Sequence, residues 1–134
     1  MTARFEKDLF ALKPDLVIFQ TGLNDALQNK LFEFERDLPI ALGILKNKVP
    51  SLILMDIQYL GNEQPKIHLK AEDIINRIAP NENIKVLKRF EFMRQLSDKS
   101  IVTLDDLLAS DKFHLSDKGY FLLSKCATLQ IFNK

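Results

Sequence analysis

Two short segments of the sequence contain residue types that could carry out acyl transfer. The first, DKFHLSDKGY at residues 111–120, places His114 three residues after Asp111. A histidine that acts as a general base needs a fixed tautomer. A carboxylate that accepts from Nδ1–H fixes it and leaves Nε2 free. Asp111 and His114 could reach that geometry in a turn before a helix. Taken alone, the pair is also explained by an aspartate that caps a turn beside a solvated histidine.

The second segment is TGLND at residues 21–25, directly after an apolar run. Gly22 allows a sharp turn that presents its backbone N–H, and the Asn24 amide adds a neutral donor two residues later. Two donors aimed at one point would form an oxyanion hole, which stabilises the negative charge that develops during acyl transfer. The alternative is an ordinary strand-to-helix turn in which Asn24 or Asp25 caps the next helix.

The other residue types that often do chemistry give weaker signals. His68 has no carboxylate at a useful spacing, so we predict an exposed helix residue. Cys126 lies in an apolar stretch, which predicts a buried and inert thiol. Asp56 ends the second apolar run and could line the site or have a structural role. With two histidines and one cysteine there is no ligand cluster, so we expect no metal and no cofactor.

The composition fits one globular domain of 134 residues, 46% hydrophobic and 28% charged. The formal net charge is +1 and the basic residues are scattered, which argues against a nucleic-acid partner. No run approaches the roughly 18 apolar residues of a membrane span. A signal peptide could precede Met1, so the sequence leaves the localisation open.

The order of apolar runs and helical patterns predicts an α/β fold with a parallel sheet. Two runs are continuously apolar, as in strands that are buried on both faces, and the third is more polar and suits an outer strand. These runs are residues 15–20, 51–57 and 83–90.

Helical periodicity precedes the first strand and recurs at 31–45, 66–78 and about 117–131. Pro39 predicts a kink or a fresh helix start near Asp37. Ser116 is the expected N-cap of the last helix. Glycine in a helix costs roughly 1 kcal/mol, so Gly119 in the first turn predicts a close approach by another backbone.

Together and in this order, the two segments resemble the SGNH (GDSL-type) hydrolase superfamily. The resemblance covers nearly the whole chain. It implies a three-layer α/β/α, flavodoxin-like fold and a serine ester hydrolase that acts on small acyl esters through an acyl-enzyme. It also implies roles for four residues: Gly22 and Asn24 as oxyanion donors, His114 as general base and Asp111 as its orienting carboxylate. The matching stretches are PDLVIFQTGLND at 14–25, LILMDIQY at 52–59 and DKFHLSDKGY at 111–120.

The family's nucleophile, a serine in a Gly-Asp-Ser motif, does not occur in this sequence. The resemblance therefore implies that residues 1–134 form one partial domain, with strands 3, 4 and 5 of the family order 2-1-3-4-5. We expect Met1 to be an internal residue of a helix in a longer protein, and the chain alone to be nearly inactive. We also expect the uncovered edge at Leu16–Gln20 to favour self-association. The alternative is a non-catalytic binding module on this scaffold, or one half of a split enzyme.

Overall fold

The sheet of the protein contains three parallel strands in the spatial order β1-β2-β3. The computed structural model describes residues 2–61 and 66–132, so Met1 and its expected place in a helix lie outside the described residues. The α/β class and the parallel sheet are confirmed, and the more polar third run forms an outer strand. The strands are β1 (Leu16–Gln20), β2 (Ser51–Met55) and β3 (Lys85–Leu87).

Helices connect the strands, as the alternating pattern predicts. Within residues 2–61 and 66–132, no helix combines the length and apolarity that a bilayer crossing requires. The helices are α1 (Phe5–Asp8), α2 (Leu23–Leu27), α3 (Leu31–Lys48), α4 (Ile67–Asn81), α5 (Arg89–Asp98), α6 (Leu104–Leu107) and α7 (Asp117–Phe132), with a 3-10 turn at Phe10–Leu12.

Apolar side chains pack against both faces of the sheet. Leu54 of β2 belongs to a core that includes Phe34 of α3. Its neighbour Ile53 packs instead with Leu87 of β3 and Cys126 of α7. Successive strand residues point to opposite faces, so the two clusters lie on opposite sides of the sheet and the fold has three layers. The thiol of Cys126 is buried, as predicted, and burial raises its pKa.

β1 lies at one edge, and no strand among the described residues pairs with its outer side. Leu16 and Ile18 are 41% and 43% exposed. Ile18 is in register with Ile53, so both side chains face the α7 side, where Ile18 remains exposed. The edge is apolar and open, as the resemblance implies. The expectation that this strand is buried on both faces was wrong, because only Val17 of β1 is buried. Self-association through it stays a prediction.

Pro39 does not start a new helix, so that alternative was wrong. Helix α3 runs without interruption from Leu31 to Lys48 with Pro39 inside it. Proline has no N–H for the carbonyl four residues earlier. One continuous buried face, including Phe34, Leu38 and Leu42, nevertheless keeps the segment helical across that missing bond.

His68 is buried, with 2% of its surface exposed, so the prediction of an exposed residue was wrong. It lies three residues before Ala71 and seven before Ile75, which are both fully buried in α4. Residues at these spacings share one face of a helix. The His68 ring lies 6.1 Å from the Phe90 ring, a contact between distant segments that no local pattern indicated.

Asp56 fixes the start of α5. Its buried Oδ1 accepts hydrogen bonds from the backbone N–H groups of Arg89 and Phe90, at 2.7 and 2.9 Å. The Arg89 guanidinium donates to the Asp56 carbonyl oxygen at 2.6 Å. The first N–H groups of a helix have no partner within it, so the carboxylate satisfies two of them. Of the two roles left open by the sequence, the structure supports the structural one.

Glu72 of α4 is a second buried carboxyl group close to Asp56. Its Oε1 accepts from Asn76 Nδ2 at 2.8 Å, while Oε2 is buried without a hydrogen-bond partner among the described residues. Burial, followed by the negative charge of Asp56, raises the pKa of Glu72 to about 7. Burial also raises the pKa of Asp56, but its two backbone N–H donors oppose this shift. We infer that Glu72 holds the proton of the pair.

Glu72→Gln should remove a pH-dependent loss of stability. Between the unperturbed value of 4.5 and about 7, the folded protein binds the Glu72 proton more tightly than the unfolded chain does. Stability therefore falls by about 3 kcal/mol as the pH rises through this range. Urea unfolding should find the variant as stable as the parent at about pH 4 and more stable at about pH 8. Asp73→Asn, an exposed change in the same helix, is the control. Parallel pH profiles for parent and Glu72→Gln would contradict the assignment.

Helix α7 begins against the backbone of α6. The Ser116 hydroxyl accepts from the Gly119 N–H at 3.0 Å, so Ser116 is the N-cap, as predicted. The Ser116 N–H donates to the Leu107 carbonyl oxygen at 3.0 Å. A Cβ atom at position 119 would lie 2.2 Å from that same oxygen. The close backbone approach predicted at Gly119 is confirmed.

Gly119→Ala should lower the free energy of unfolding by about 3 kcal/mol, because the new methyl group would force the α6 and α7 backbones apart. Gly43→Ala in α3 is the matched control, since nothing lies within 4 Å of its added Cβ. Alanine is the better helix former, so that change should stabilise the protein by about 1 kcal/mol. Urea unfolding of both variants measures the difference. Equal changes in the free energy of unfolding for the two variants would contradict the predicted clash with the Leu107 carbonyl oxygen.

Candidate active site

The four residues singled out by spacing line one cavity of about 410 Å³. It lies at the carboxyl ends of β1 and β2, where sites form in open parallel sheets. Gly22 and Asn24 follow β1, while Asp111 and His114 come from the loop before α7. The other described lining residues are Gln20, Thr21, Leu23, Asp25, Leu27, Gln58 and Phe113.

Gly22 occupies a position that only glycine fits well. Its φ is +104°, and an added Cβ would lie 2.7 Å from Cζ of the fully buried Phe34 ring. Gly22 is itself the N-cap of α2, and its carbonyl accepts from the Ala26 N–H at 3.0 Å. Asn24 and Asp25 lie inside α2, so the alternative in which one of them caps this helix was wrong. The amide of Asn24 remains a donor at the cavity wall.

Asp111 and His114 are in direct contact. Asp111 Oδ2 lies 2.6 Å from His114 Nδ1. Asp111 Oδ1 accepts from the backbone N–H groups of Phe113 and His114, both at 2.9 Å. One carboxylate therefore orients the imidazole and also folds the turn that carries it.

The loop between α6 and α7 is closed like a hairpin. Leu108 and Leu115 form an antiparallel bridge, and the Ala109 N–H donates to the His114 carbonyl at 2.8 Å. Lys112 adopts a left-handed conformation, with φ of 60°, which turns the chain between Asp111 and His114. These bonds set the backbone of His114 relative to the two flanking helices.

The electrostatics of the pair indicate one tautomer. Hydrogen bonds from the His114 side chain and from two backbone N–H groups lower the pKa of Asp111 to about 2. Asp111 is therefore an anion at neutral pH and can only accept, so Nδ1 of His114 must carry the hydrogen. No described residue hydrogen-bonds to Nε2 of the His114 ring, whose side chain is 77% exposed. Nε2 is left as a proton acceptor beside the cavity.

Three further lining residues have no spacing signal of their own. Among the described lining residues, Thr21 alone has a side-chain hydroxyl group. Phe113 adds an aromatic ring. Gln58 is 6% exposed, and its Nε2 donates to the Phe113 carbonyl oxygen. Its place just beyond the carboxyl end of β2 was the available clue, because parallel sheets bind ligands there. Asp56, two residues earlier, does not line the cavity.

No serine occurs among the described residues that line this cavity. Ser116 is the serine nearest to His114 in sequence, but its hydroxyl donates to the Asp106 carbonyl and accepts from Gly119. The cavity thus brings together a histidine, a carboxylate hydrogen-bonded to it, and the Gly22–Asn24 segment. Within the described part of the chain, no serine is positioned for attack.

Comparison with known proteins identifies the family. The sequence model of the GDSL-like lipase/acylhydrolase family matches residues 2–127. None of the curated proteins matches the sequence at a significant level. The structure resembles that of Axe2, an acetylxylan esterase from Geobacillus stearothermophilus. Identity is 27% and the TM-score 0.79, over 99% of this chain and 66% of that chain.

The fold is also that of the lipase/acylhydrolase from Enterococcus faecalis. Identity is 22% and the TM-score 0.77, over 96% of this chain and 66% of that chain. The chain thus spans about two-thirds of the length of either structure. The family match extends over nearly all of these residues and agrees with the shared fold. The chain belongs to the GDSL-like lipase/acylhydrolase family.

Proposed function

We propose that the chain forms the proton-transfer and oxyanion-binding part of a serine ester hydrolase. The observation that carries this proposal is the meeting of the Asp111–His114 pair with Gly22 and Asn24 around one cavity. In this role His114 is the general base, Asp111 orients it, and the Gly22 N–H and Asn24 amide bind the oxyanion.

The proposed reaction has two halves. Nε2 of His114 takes the proton of a serine hydroxyl as its oxygen attacks the ester carbonyl carbon. The former carbonyl oxygen becomes an anion that Gly22 and Asn24 stabilise. The imidazolium, held by Asp111, then gives its proton to the leaving alcohol as the ester C–O bond breaks. Water, deprotonated by the same imidazole, then attacks the acyl carbon. The bond to the serine oxygen breaks, the imidazolium returns its proton to that oxygen, and the acid leaves.

We propose that the serine lies outside these 134 residues. Two facts support this: the described lining residues contain no serine, and the chain spans 66% of Axe2. Catalytic mutants of Axe2 replace a serine near its amino terminus, an aspartate or a histidine with alanine. That aspartate and histidine are three residues apart, as Asp111 and His114 are.

The proposed substrate is an ester of a short acyl group, such as acetate, with a polar alcohol such as a sugar. Most of the described lining residues of the cavity are polar, including Gln20, Thr21 and Asp25. The apolar side chains that a long alkyl chain could contact there are Leu23, Leu27 and Phe113. The similarity to an acetylxylan esterase agrees with this choice.

The chain by itself should show no acyl-enzyme chemistry. Mixing it with p-nitrophenyl acetate should give no burst of nitrophenol, and a fluorophosphonate probe should leave its intact mass unchanged. Loss of the serine from a triad costs about six orders of magnitude in kcat. A stoichiometric burst or adduct would overturn the proposal, and Thr21→Val would then test whether the threonine is the nucleophile.

A chimera provides the positive control for that experiment. Placing the amino-terminal segment of Axe2 that contains its catalytic serine before this chain should produce ester hydrolysis that His114→Asn abolishes. A folded chimera that hydrolyses no acetyl ester would contradict the hydrolase proposal. Retained binding of acetylated xylooligosaccharides would then favour a non-catalytic module.

Asp111→Asn in the chimera should lower kcat by about 10⁴-fold with little change in folding. The amide oxygen of the substituted side chain can still accept from the N–H groups of Phe113 and His114, so the turn persists while the carboxylate for Nδ1–H is lost. Because the pKa of Asp111 is about 2, the carboxylate should add no limb to the pH–rate profile above about pH 4. A kcat within tenfold of the parent would rule out the orienting role.

A further inference from the structure

We propose that Gln58 is a positioning residue that fixes the His114 loop relative to the Gly22–Asn24 segment. This inference rests on the proposed function, because the position of the loop affects catalysis only if His114 is the general base. The observation behind it is the hydrogen bond from Gln58 Nε2 to the carbonyl oxygen of Phe113, directly before His114.

Gln58 lies in a segment whose neighbouring residues are packed in the core. Asp56, two residues earlier, is held by the first N–H groups of α5. Ile57 is fully buried and Tyr59 is 3% exposed. The Tyr59 ring packs edge-on against Phe90 at 5.4 Å. The backbone on either side of Gln58 is therefore fixed by the core.

The hydrogen bonds of the His114 loop lie mainly within the loop. The Leu108–Leu115 bridge and the bond from Ala109 to His114 join the two arms of the same hairpin. Leu108 and Leu115, at the base of the loop, are buried in the same core as Leu54 of β2. Gln58 adds a direct hydrogen bond from the segment after β2 to the loop itself, at the carbonyl before His114.

The segments that follow β1 and β2 lie side by side at the cavity. Gln20 and Met55 are in register as the last residues of β1 and β2, so the segments that follow them leave the same edge of the sheet. Gly22 lies in the first segment and Gln58 in the second, and both line the cavity with His114. Gln58 thereby sets where the base stands relative to the oxyanion donors.

Burial does not fix the imidazole, because the His114 side chain is 77% exposed. Its placement depends on the loop backbone and on Asp111. A misplacement of about 1 Å can cost roughly 100-fold in rate, so loss of the Gln58 bond should matter more for catalysis than for folding.

The first test uses the chain itself, with Gln58→Met and Gln58→Glu. Methionine has a similar size and no donor, while glutamic acid is isosteric and donates only when protonated. Gln95→Met, at an exposed glutamine whose amide bonds to Glu91 in α5, is the matched control. The readouts are backbone amide exchange and imidazole NMR, and the second histidine, His68, serves as the internal reference.

Gln58→Met should speed exchange of the Ala109, Phe113 and His114 amides by about tenfold, the scale of one net hydrogen bond. It should also shift the His114 ring signals while those of His68 stay in place. Gln58→Glu should behave like the methionine variant at neutral pH and recover as its carboxyl becomes protonated. Gln95→Met should change none of these. Unchanged loop amides, or one uniform factor at every amide including Leu54 of β2, would overturn the inference.

The experiments distinguish failure of the hydrolase proposal from failure of the positioning role of Gln58. In an active chimera, Gln58→Met should lower kcat at least tenfold with KM within twofold. A chimera without esterase activity, together with faster loop exchange in the chain alone, would contradict the catalytic proposal and retain the positioning contact. An active chimera with unaltered kcat in Gln58→Met would remove the positioning role and leave the hydrolase proposal intact.

Discussion

The parallel pairing of β1 with β2 is the constraint on which the candidate site depends. Parallel strands end at the same edge of a sheet, so the segments after Gln20 and Met55 must leave it side by side. The first segment turns at Gly22, against the Phe34 ring, into α2. The second is anchored by Asp56 and presents Gln58. The His114 loop then completes the cavity from the carboxyl-terminal part of the chain.

Two carboxylate environments in this small domain show how position determines protonation. Asp111 is about half exposed and accepts three hydrogen bonds, which lower its pKa to about 2. Glu72 is buried near a second carboxylate, and its pKa rises to about 7. The first group is available as a permanent anion at the cavity. The second is a neutral acid in the core below about pH 7 and destabilises the fold when it ionises.

The proposal that the serine comes from outside these residues agrees with the open edge of β1. β1 carries apolar side chains at an open edge, on the strand that leads into the oxyanion segment. An added strand would complete the backbone hydrogen bonding of that edge and pass close to the cavity.

Local sequence signals accounted for much of the fold and for the proposed site residues. The three apolar runs predicted the strands, and the Asp-x-x-His and Gly-x-Asn-Asp blocks indicated four residues that line one cavity. Gly119 predicted a backbone contact, because glycine destabilises a helix and a close approach by another backbone explains its presence there. Periodicity also held the information for His68, since its spacing from Ile75 is a helical repeat.

Other features depended on contacts between segments far apart in the chain. Asp56 looked equally suited to a catalytic or a structural role until its oxygen was found on the α5 amides, 33 residues away. No local pattern indicated the hydrogen bond from Gln58 to Phe113, because Phe113 lies 55 residues later. Pro39 follows a local rule that packing overrides. The sequence by itself determined which residues could do chemistry and where the three strands and the longest helices lie, because types and periods are local. Helices α2, α5 and α6 were not predicted, and α5 begins within the run expected to form the third strand. Only the tertiary structure decided which polar groups face the cavity and which satisfy buried backbone, because that depends on long-range partners.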